Sequence, residues 1–165
     1  MTAKKYIPRA DHVGSLLRPA SVVEARRKFF DDKIISRDEL TKVEDAAIID
    51  LVKMQESVGL NVVTDGEARR SFWHYDFMGQ LNGFDLEERD EGVQFSGVKL
   101  RPIFPTINGP LDFPDSHPMI EHFRYLASQS SVVPKISIPG PSCGHFRTDL
   151  NDIRHAPYNY MYCLM

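Results

Sequence analysis

The chain has 165 residues, of which 42% are hydrophobic, and this length suits one domain with a sizeable core. A formal net charge of −3 provides no positive field for nucleic acid or anionic lipid. No apolar run reaches the ~18 residues of a membrane span, the polar start lacks a signal segment, and two cysteines make no disulfide framework. A cytoplasmic protein without nucleic-acid or membrane partners is predicted.

The first predicted element is a short strand over residues 10–15, which ends in Gly14 and Ser15. Glycine allows the backbone to approach a ligand closely, and Ser15 offers both a hydroxyl and an N–H group. Pro19 can open a helix, and the residues after it predict one over 21–30.

A capping box formed by Ser36 and Glu39 predicts the start of a second helix, over 40–58. Gly59 follows, as a left-handed cap would. Apolar residues recur at intervals of three and four, which indicates one amphipathic stripe used for core packing: Leu40, Val43, Ala47, Leu51, Met54 and Val58.

A strand over 60–63 is followed at once by Asp65, Gly66 and Glu67. In parallel α/β proteins, ligands bind at the carboxyl ends of the strands, so these residues are candidates for a binding site. Alternatively, the two carboxylates only cap the next helix, which is predicted over 71–81.

The aromatic run after this loop has two interpretations. Trp73, Tyr75 and Phe77 could line a pocket for a flat ligand, but such density is more typical of core packing.

The rest of the chain predicts a hairpin-like excursion and two further strands separated by a helix. Their ranges are 84–100 for the excursion, 103–107 for the third strand, 116–128 for the helix and 132–138 for the fourth strand. Four strands, each followed by a polar or glycine-bearing loop, form either a small open sheet or half of an eight-stranded barrel.

Three motifs identify a family resemblance. The run ADHVGSLLRP (10–19) resembles the opening strand and loop of the cobalamin-independent methionine synthase family, in its short single-barrel branch. The run from QESVGL through VTDGEARR to WHYDF (55–77) is similar to that family's second strand and following helix, and PGPS (139–142) resembles its fourth loop. The resemblance covers residues 10–147 and leaves 148–165 unplaced.

The resemblance implies an α/β chain that forms the first four βα units of a (β/α)8 TIM barrel, of the methionine synthase/uroporphyrinogen decarboxylase type. Residues 1–165 would be a single, incomplete barrel domain, because a full barrel takes about 250 residues. A second polypeptide, or self-association, is therefore expected to complete it.

The implied activity is zinc-dependent methyl transfer from a methyltetrahydrofolate polyglutamate to the thiol of homocysteine. By the family pattern, Ser15 binds the carboxylate of homocysteine and Glu67 binds its ammonium group. Arg18 and the loop 139–142 are candidates for the folate side. The expected substrate pocket comprises Gly14, Ser15, Arg18, Asp65, Gly66 and Glu67.

The family's zinc ligands are a His-x-Cys pair, a glutamate and a second cysteine, and no His-x-Cys pair occurs here. A zinc site made of Cys143, His145 and Cys163 is the weaker interpretation, and ordinary loop and tail residues the stronger one. Zinc is thus expected from the family, with no ligand from this chain. Two alternatives stay open: a related thiol alkyltransferase of the coenzyme M type, and a non-catalytic half-barrel remnant or interaction module.

Overall fold

The structure is a computed structural model that describes residues 11–88, 90, 94–99 and 102–143. Expectations for residue 10 and for 144–165, including His145 and Cys163, lie outside this part. Its elements in chain order are α1 (Ala20–Phe30), α2 (Arg37–Ser57), β1 (Val62–Val63), α3 (Tyr75–Met78), β2 (Asn82–Glu88), β3 (Gln94–Phe95), β4 (Val98–Lys99), β5 (Ile103–Asp112), α4 (Pro118–Gln129) and β6 (Val133–Pro134).

The described residues form two compact units, one with 11–70 and 121–137, the other with 71–120 and 138–143. Within them, no helix is long and apolar enough to cross a membrane.

The first unit places a parallel strand pair against helices. Val62 of β1 lies opposite Val133 of β6, and the N–H of Lys135 extends the pairing by donating to the Val63 carbonyl at 2.8 Å. The parallel strands β1 and β6 are separated along the chain by helices, as the sequence predicted. The core beside this pair consists of Ile48, Leu51, Val52, Val63, Ala68 and Leu126.

Helix α2 begins as predicted. The Glu39 N–H donates to the Ser36 hydroxyl at 3.2 Å, and the Ser36 N–H donates to the Glu39 carboxylate at 2.7 Å. At the other end, Gly59 has φ +85°, which confirms the left-handed cap.

The predicted apolar stripe of α2 is wrong in its second half. Met54 and Val58 are 42% and 69% exposed, whereas the polar residues Glu44 and Gln55 are buried. Positions 44, 48 and 55 share the helical period of the predicted stripe but lie on a face rotated from it, and Leu51 belongs to both faces. The buried face of α2 therefore carries polar contacts in addition to apolar packing.

Gln55 pairs the backbone at the end of β1. Its amide nitrogen donates to the carbonyls of Leu51 at 3.0 Å and Thr64 at 2.8 Å, and its amide oxygen accepts the Thr64 N–H at 3.0 Å. A buried strand end must pair its polar groups, and here a helix side chain does so in place of a neighbouring strand. This contact fixes the point at which the chain leaves the strand.

The second unit is dominated by an antiparallel excursion. Strands β2 and β5 pair with Phe84 opposite Ile107, and β3 pairs with β4 around Gly97, which has φ +80°. The predicted hairpin is confirmed. The prediction of residues 103–107 as a third barrel strand is wrong, because that segment belongs to β5 and hydrogen-bonds antiparallel to β2.

Three predicted elements are shorter in the structure or do not form. In the helix predicted over 71–81, only α3 is helical, because the Asp76 carboxylate accepts the N–H groups of Ser71 and Phe72 and closes a turn. Residues 11–15 form no strand, as Gly14 has φ +86°. The strand predicted over 132–138 is only β6, whose Pro134 has no N–H group to donate.

The aromatic residues of the second unit divide between core and surface. Phe77 is buried, with its ring 4.9 Å from that of His117, whose Nε2 lies 3.0 Å from the Phe77 carbonyl oxygen. Trp73 is 47% exposed. Core packing therefore holds for Phe77, and a pocket role for Trp73 stays a prediction.

We expect Gln55→Leu to lower the free energy of unfolding by about 2 kcal/mol, because it leaves the Thr64 N–H and C=O buried without partners. Urea denaturation monitored by circular dichroism measures this. Gln129→Leu, at an exposed position of α4, is the matched control. Equal stability of the two variants would contradict the role given to Gln55.

Candidate functional site

The loop that leaves β1 is buried and folded as a compact turn. Asp65 and Glu67 are 3% and 6% exposed. The Glu67 N–H donates to the Asp65 carboxylate at 3.0 Å, and the Gly66 N–H donates to the Thr64 hydroxyl at 3.1 Å. The Arg70 N–H donates to the Glu67 carbonyl at 3.0 Å. The Asp65 side chain therefore shapes the loop and does not cap a long helix.

Two successive residues of this loop have left-handed backbone conformations. Gly66 has φ +62°, and a Cβ atom there would lie 3.0 Å from the Cβ of Leu16, so both space and conformation require glycine. Glu67 has φ +54°. A glutamate in this region costs about 1 kcal/mol, and such strain concentrates at functional sites.

The structure brings Ser15 and Glu67 together across the sequence. The Ser15 hydroxyl donates to Glu67 Oε2 at 2.7 Å, and Arg70 Nη1 lies 3.4 Å from Glu67 Oε1. The N–H of Leu16 donates to the Gly66 carbonyl at 3.1 Å and holds the two segments side by side. Ser15 is exposed and Glu67 is buried, so the pair lies at the border between solvent and protein.

The backbone conformation at position 14 requires glycine. Its φ is +86°, and an added Cβ would meet no atom within 4 Å. The residue after β6 holds the segment before Ser15, since Lys135 Nζ donates to the Asp11 carboxylate at 2.5 Å and to the His12 carbonyl at 2.6 Å. Contact of Gly14 with a ligand stays a prediction.

Arg18 contacts the backbone of the same loop. Its guanidinium donates to the carbonyls of Glu67 at 3.1 Å, Ala68 at 3.2 Å and, in a short bond, Arg70. These bonds give Arg18 a place beside the predicted pocket, and its predicted contact with folate stays untested.

A buried ionic network supports the loop from the helices. Glu44 accepts from Arg26 at 2.9 Å and from Arg69 at 3.5 Å, and Arg69 also pairs with Asp45. The Arg69 guanidinium lies 5.3 Å from the ring centre of Tyr125. Burial raises the pKa of the Glu44 carboxyl above its usual value, and the two arginines oppose that shift.

Asp65 shows the same balance of burial against local charge. Removal from water raises the pKa of this carboxyl above 3.8, while the Glu67 N–H and the guanidiniums of Arg70 and Arg69 act in the opposite direction.

The described residues do not fit a zinc centre. Among residues 11–88, 90, 94–99 and 102–143, no group of three or more His, Cys, Asp or Glu side chains could hold a metal ion. Cys143 is half-buried and has a free thiol. The loop 139–142 belongs to the second unit, and its folate role stays a prediction.

Sequence reasoning missed the side chains that hold the loop. The signal for two of them was present, because Glu44 and Gln55 repeat at the helical period of the buried face of α2. The contacts of Arg26 and Arg70 join residues that are far apart along the chain, so no local pattern in the sequence indicates them. Arg70 reaches the Ser137 carbonyl, which lies 67 positions away along the chain.

Comparison with known proteins gives a consistent result. A family model for the catalytic domain of cobalamin-independent synthases matches residues 8–129. The uncharacterised protein YxjG of Bacillus subtilis is 39% identical over 148 residues, which are 89% of this chain and 39% of YxjG. A 5-methyltetrahydropteroyltriglutamate–homocysteine methyltransferase of Thermosynechococcus vestitus is 32% identical over 135 residues, covering 78% of this chain and 16% of that enzyme.

The fold matches as well. A crystal structure from Listeria monocytogenes, provisionally assigned as a vitamin-B12-independent methionine synthase, superposes with a TM-score of 0.69 at 37% identity. The match covers 91% of this chain and 40% of the Listeria chain. The chain thus has the α/β fold of these structures and spans less than half the length of the relatives it matches.

The pKa shift of Asp65 predicts a pH-dependent contribution to stability. Because burial raises the folded-state pKa above 3.8, the folded state binds more protons than the unfolded state over the range between the two values. This part of the stability is present at low pH and is lost as the pH rises from 3.8 through the folded pKa. We expect Asp65→Asn, which keeps the oxygen acceptor, to remove that decline.

Urea midpoints measured from pH 3.5 to pH 7 test this expectation. Asp50→Asn, at an exposed position of α2, controls for the loss of one negative charge. Curves for Asp65→Asn and wild type that stay parallel throughout would contradict it.

Proposed function

The chain belongs to the family of cobalamin-independent synthase catalytic domains, and we propose that it serves methyl transfer from a methyltetrahydrofolate to the thiol of homocysteine, which yields methionine. The name of the Thermosynechococcus relative supports this choice of reaction. The contact between Ser15 and Glu67 is the observation on which the proposal rests. In this proposal the chain supplies the part of the pocket that binds the amino-acid end of homocysteine.

An α-amino acid carries its ammonium and carboxylate groups on one carbon, so two side chains that lie close together can bind both groups. Ser15 Oγ and Glu67 Oε2 are 2.7 Å apart. An incoming ammonium group replaces Ser15 as the donor to the Glu67 carboxylate, in a charge-assisted bond. The serine hydroxyl has one proton, which it can then donate to the substrate carboxylate.

Arg70 and the left-handed backbone keep the Glu67 carboxylate in place before the substrate arrives. The Arg70 guanidinium lies 3.4 Å from the carboxylate and compensates for its burial. A carboxylate that is already desolvated and held needs little reorganisation on binding an ammonium group. Gly66 leaves the room that Leu16 requires beside this loop.

The chemistry expected of a bound zinc ion would be to lower the pKa of the homocysteine thiol, so that a thiolate is available at neutral pH. The described residues offer no ligand group for it. In our proposal the zinc ligands come from polypeptide outside the described residues.

The charge of Glu67 favours homocysteine over coenzyme M as the acceptor. Coenzyme M has a thiol and a sulfonate but no ammonium group, so a buried carboxylate beside it would repel its anionic end. Homocysteine brings the cation that the carboxylate requires.

The proposed architecture is part of a (β/α)8 barrel that further strands must complete. The chain spans 39% of YxjG and 40% of the Listeria structure, and β1 and β6 are parallel neighbours. Val133 of β6 is half exposed, as expected where another element would pack. A second polypeptide or a second copy of the chain could supply that element.

We expect the chain to bind L-homocysteine, and Glu67→Gln to weaken that binding at least about tenfold because a charge-assisted bond becomes a neutral one. Isothermal titration calorimetry measures both affinities, with 4-mercaptobutyrate as the analogue of homocysteine that lacks the ammonium group. Glu24→Gln, at an exposed position of α1, is the matched control. Equal affinity for homocysteine in all three proteins would contradict the proposal, and no binding at all would favour a non-catalytic module.

We expect the isolated 165-residue chain to self-associate, because an incomplete barrel leaves a strand edge and apolar side chains uncovered. Light scattering after size exclusion measures the oligomeric state, and thermal denaturation of the same sample follows its unfolding. A monomer with one sharp, reversible transition would contradict the partial-barrel proposal.

A further inference from the structure

The carbonyl groups of four successive residues, Glu67 to Arg70, all accept hydrogen bonds from arginine side chains. Arg18 donates to the first, second and fourth of these carbonyls. Arg26 Nη1 donates to the third, that of Arg69, at 2.7 Å and to the Glu44 carboxylate at 2.9 Å. Side chains from one helix and the segment before it thus hold the backbone of the whole turn.

This arrangement has a specific effect on Glu67. Its left-handed conformation is unfavourable for a residue with a Cβ atom, so surrounding contacts must compensate for the cost. Arg18 bonds the carbonyl of Glu67 itself, at 3.1 Å, and that of the next residue. A planar guanidinium with several fixed donors can bind carbonyls that point in different directions, which an ammonium group on a flexible stem cannot do.

We infer that Arg18 is a positioning residue, which holds Glu67 in the left-handed conformation that directs its carboxylate to Ser15. This inference rests on the proposed function, in which that carboxylate binds the substrate ammonium group. It gives Arg18 a different role from the folate contact that the sequence resemblance implied. In that other role, the positive charge of Arg18 would matter more than the shape of its donor group.

A double-mutant cycle tests whether Arg18 acts through Glu67. We expect Arg18→Lys to weaken L-homocysteine binding about tenfold, or about 1.4 kcal/mol, in the wild-type background, and to have no effect in the Glu67→Gln background. Arg27→Lys is the matched control, since Arg27 lies on α1 with half of its side chain exposed. A loss of equal size in both backgrounds, or no loss in either, would overturn the inference.

A second measurement does not depend on ligand binding. The intraresidue nuclear Overhauser effect between the amide and Hα protons of Glu67, which is strong when φ is positive, reports this backbone conformation together with the Cα chemical shift. We expect Arg18→Lys to move both values away from those of the left-handed region, and Arg27→Lys to leave them unchanged.

The two measurements separate the failure of the inference from the failure of the proposed function. A wild-type chain that binds no homocysteine contradicts the proposed function, and the nuclear Overhauser effect of Glu67 then decides the role of Arg18. Unchanged Glu67 values in Arg18→Lys would overturn the positioning role even if homocysteine binds. If Glu67→Gln binds homocysteine too weakly for the double-mutant cycle to be measured, the nuclear Overhauser effect of Glu67 decides the role of Arg18.

Discussion

The requirement that buried polar groups be paired governs the loop after β1. The loop lies between a strand end and two helices, so its carbonyls and carboxylates have little access to water. Strand pairing stops at β1, and side chains complete the pairing: Gln55 bonds the backbone of Thr64, and arginines bond the carbonyls from Glu67 to Arg70. Because these bonds come from helices α1 and α2 and from the segment just before α1, they also fix the direction of the loop.

The same pairing stabilises a conformation that an isolated peptide would avoid. Glu67 is buried, ionisable and left-handed, and each of these properties is unfavourable without neighbours. Ser15 and Arg70 bond its carboxylate, and Arg18 bonds its carbonyl. A site that pairs a carboxylate with a hydroxyl in this way suits the ammonium and carboxylate groups of an amino acid, and this is the basis of the proposal that it binds homocysteine.

Local signals in the sequence predicted α1, α2 and α4 and the location of the loop. The capping box at Ser36, the prolines at the starts of α1 and α4, and the glycine after α2 are each signals carried by a few neighbouring residues. The strands were harder, because an apolar run does not reveal its partner. Residues 103–107 have a clear strand pattern, yet their antiparallel pairing with β2 depends on contacts across about twenty residues.

Motif resemblance named Ser15 and Glu67 as pocket residues, whose binding role stays a prediction, and it did not indicate the side chains that support them. Motif resemblance brought Ser15 and Glu67 together, and the structure places them in direct contact. The roles of Arg18 and Glu44 depend on where α1 and α2 lie against the loop, which no spacing in the sequence specifies. Buried polar residues at helical spacing, such as Glu44 and Gln55, are the general sign of such support.

A crystal structure of the chain with L-selenomethionine tests the central claim most directly. The anomalous signal of selenium locates the ligand without relying on how its atoms are fitted to the electron density. Our account predicts the ligand's ammonium group within hydrogen-bond distance of the Glu67 carboxylate and its carboxylate group beside Ser15. Selenium located away from this pair, or an ammonium group bound by other residues, would contradict it.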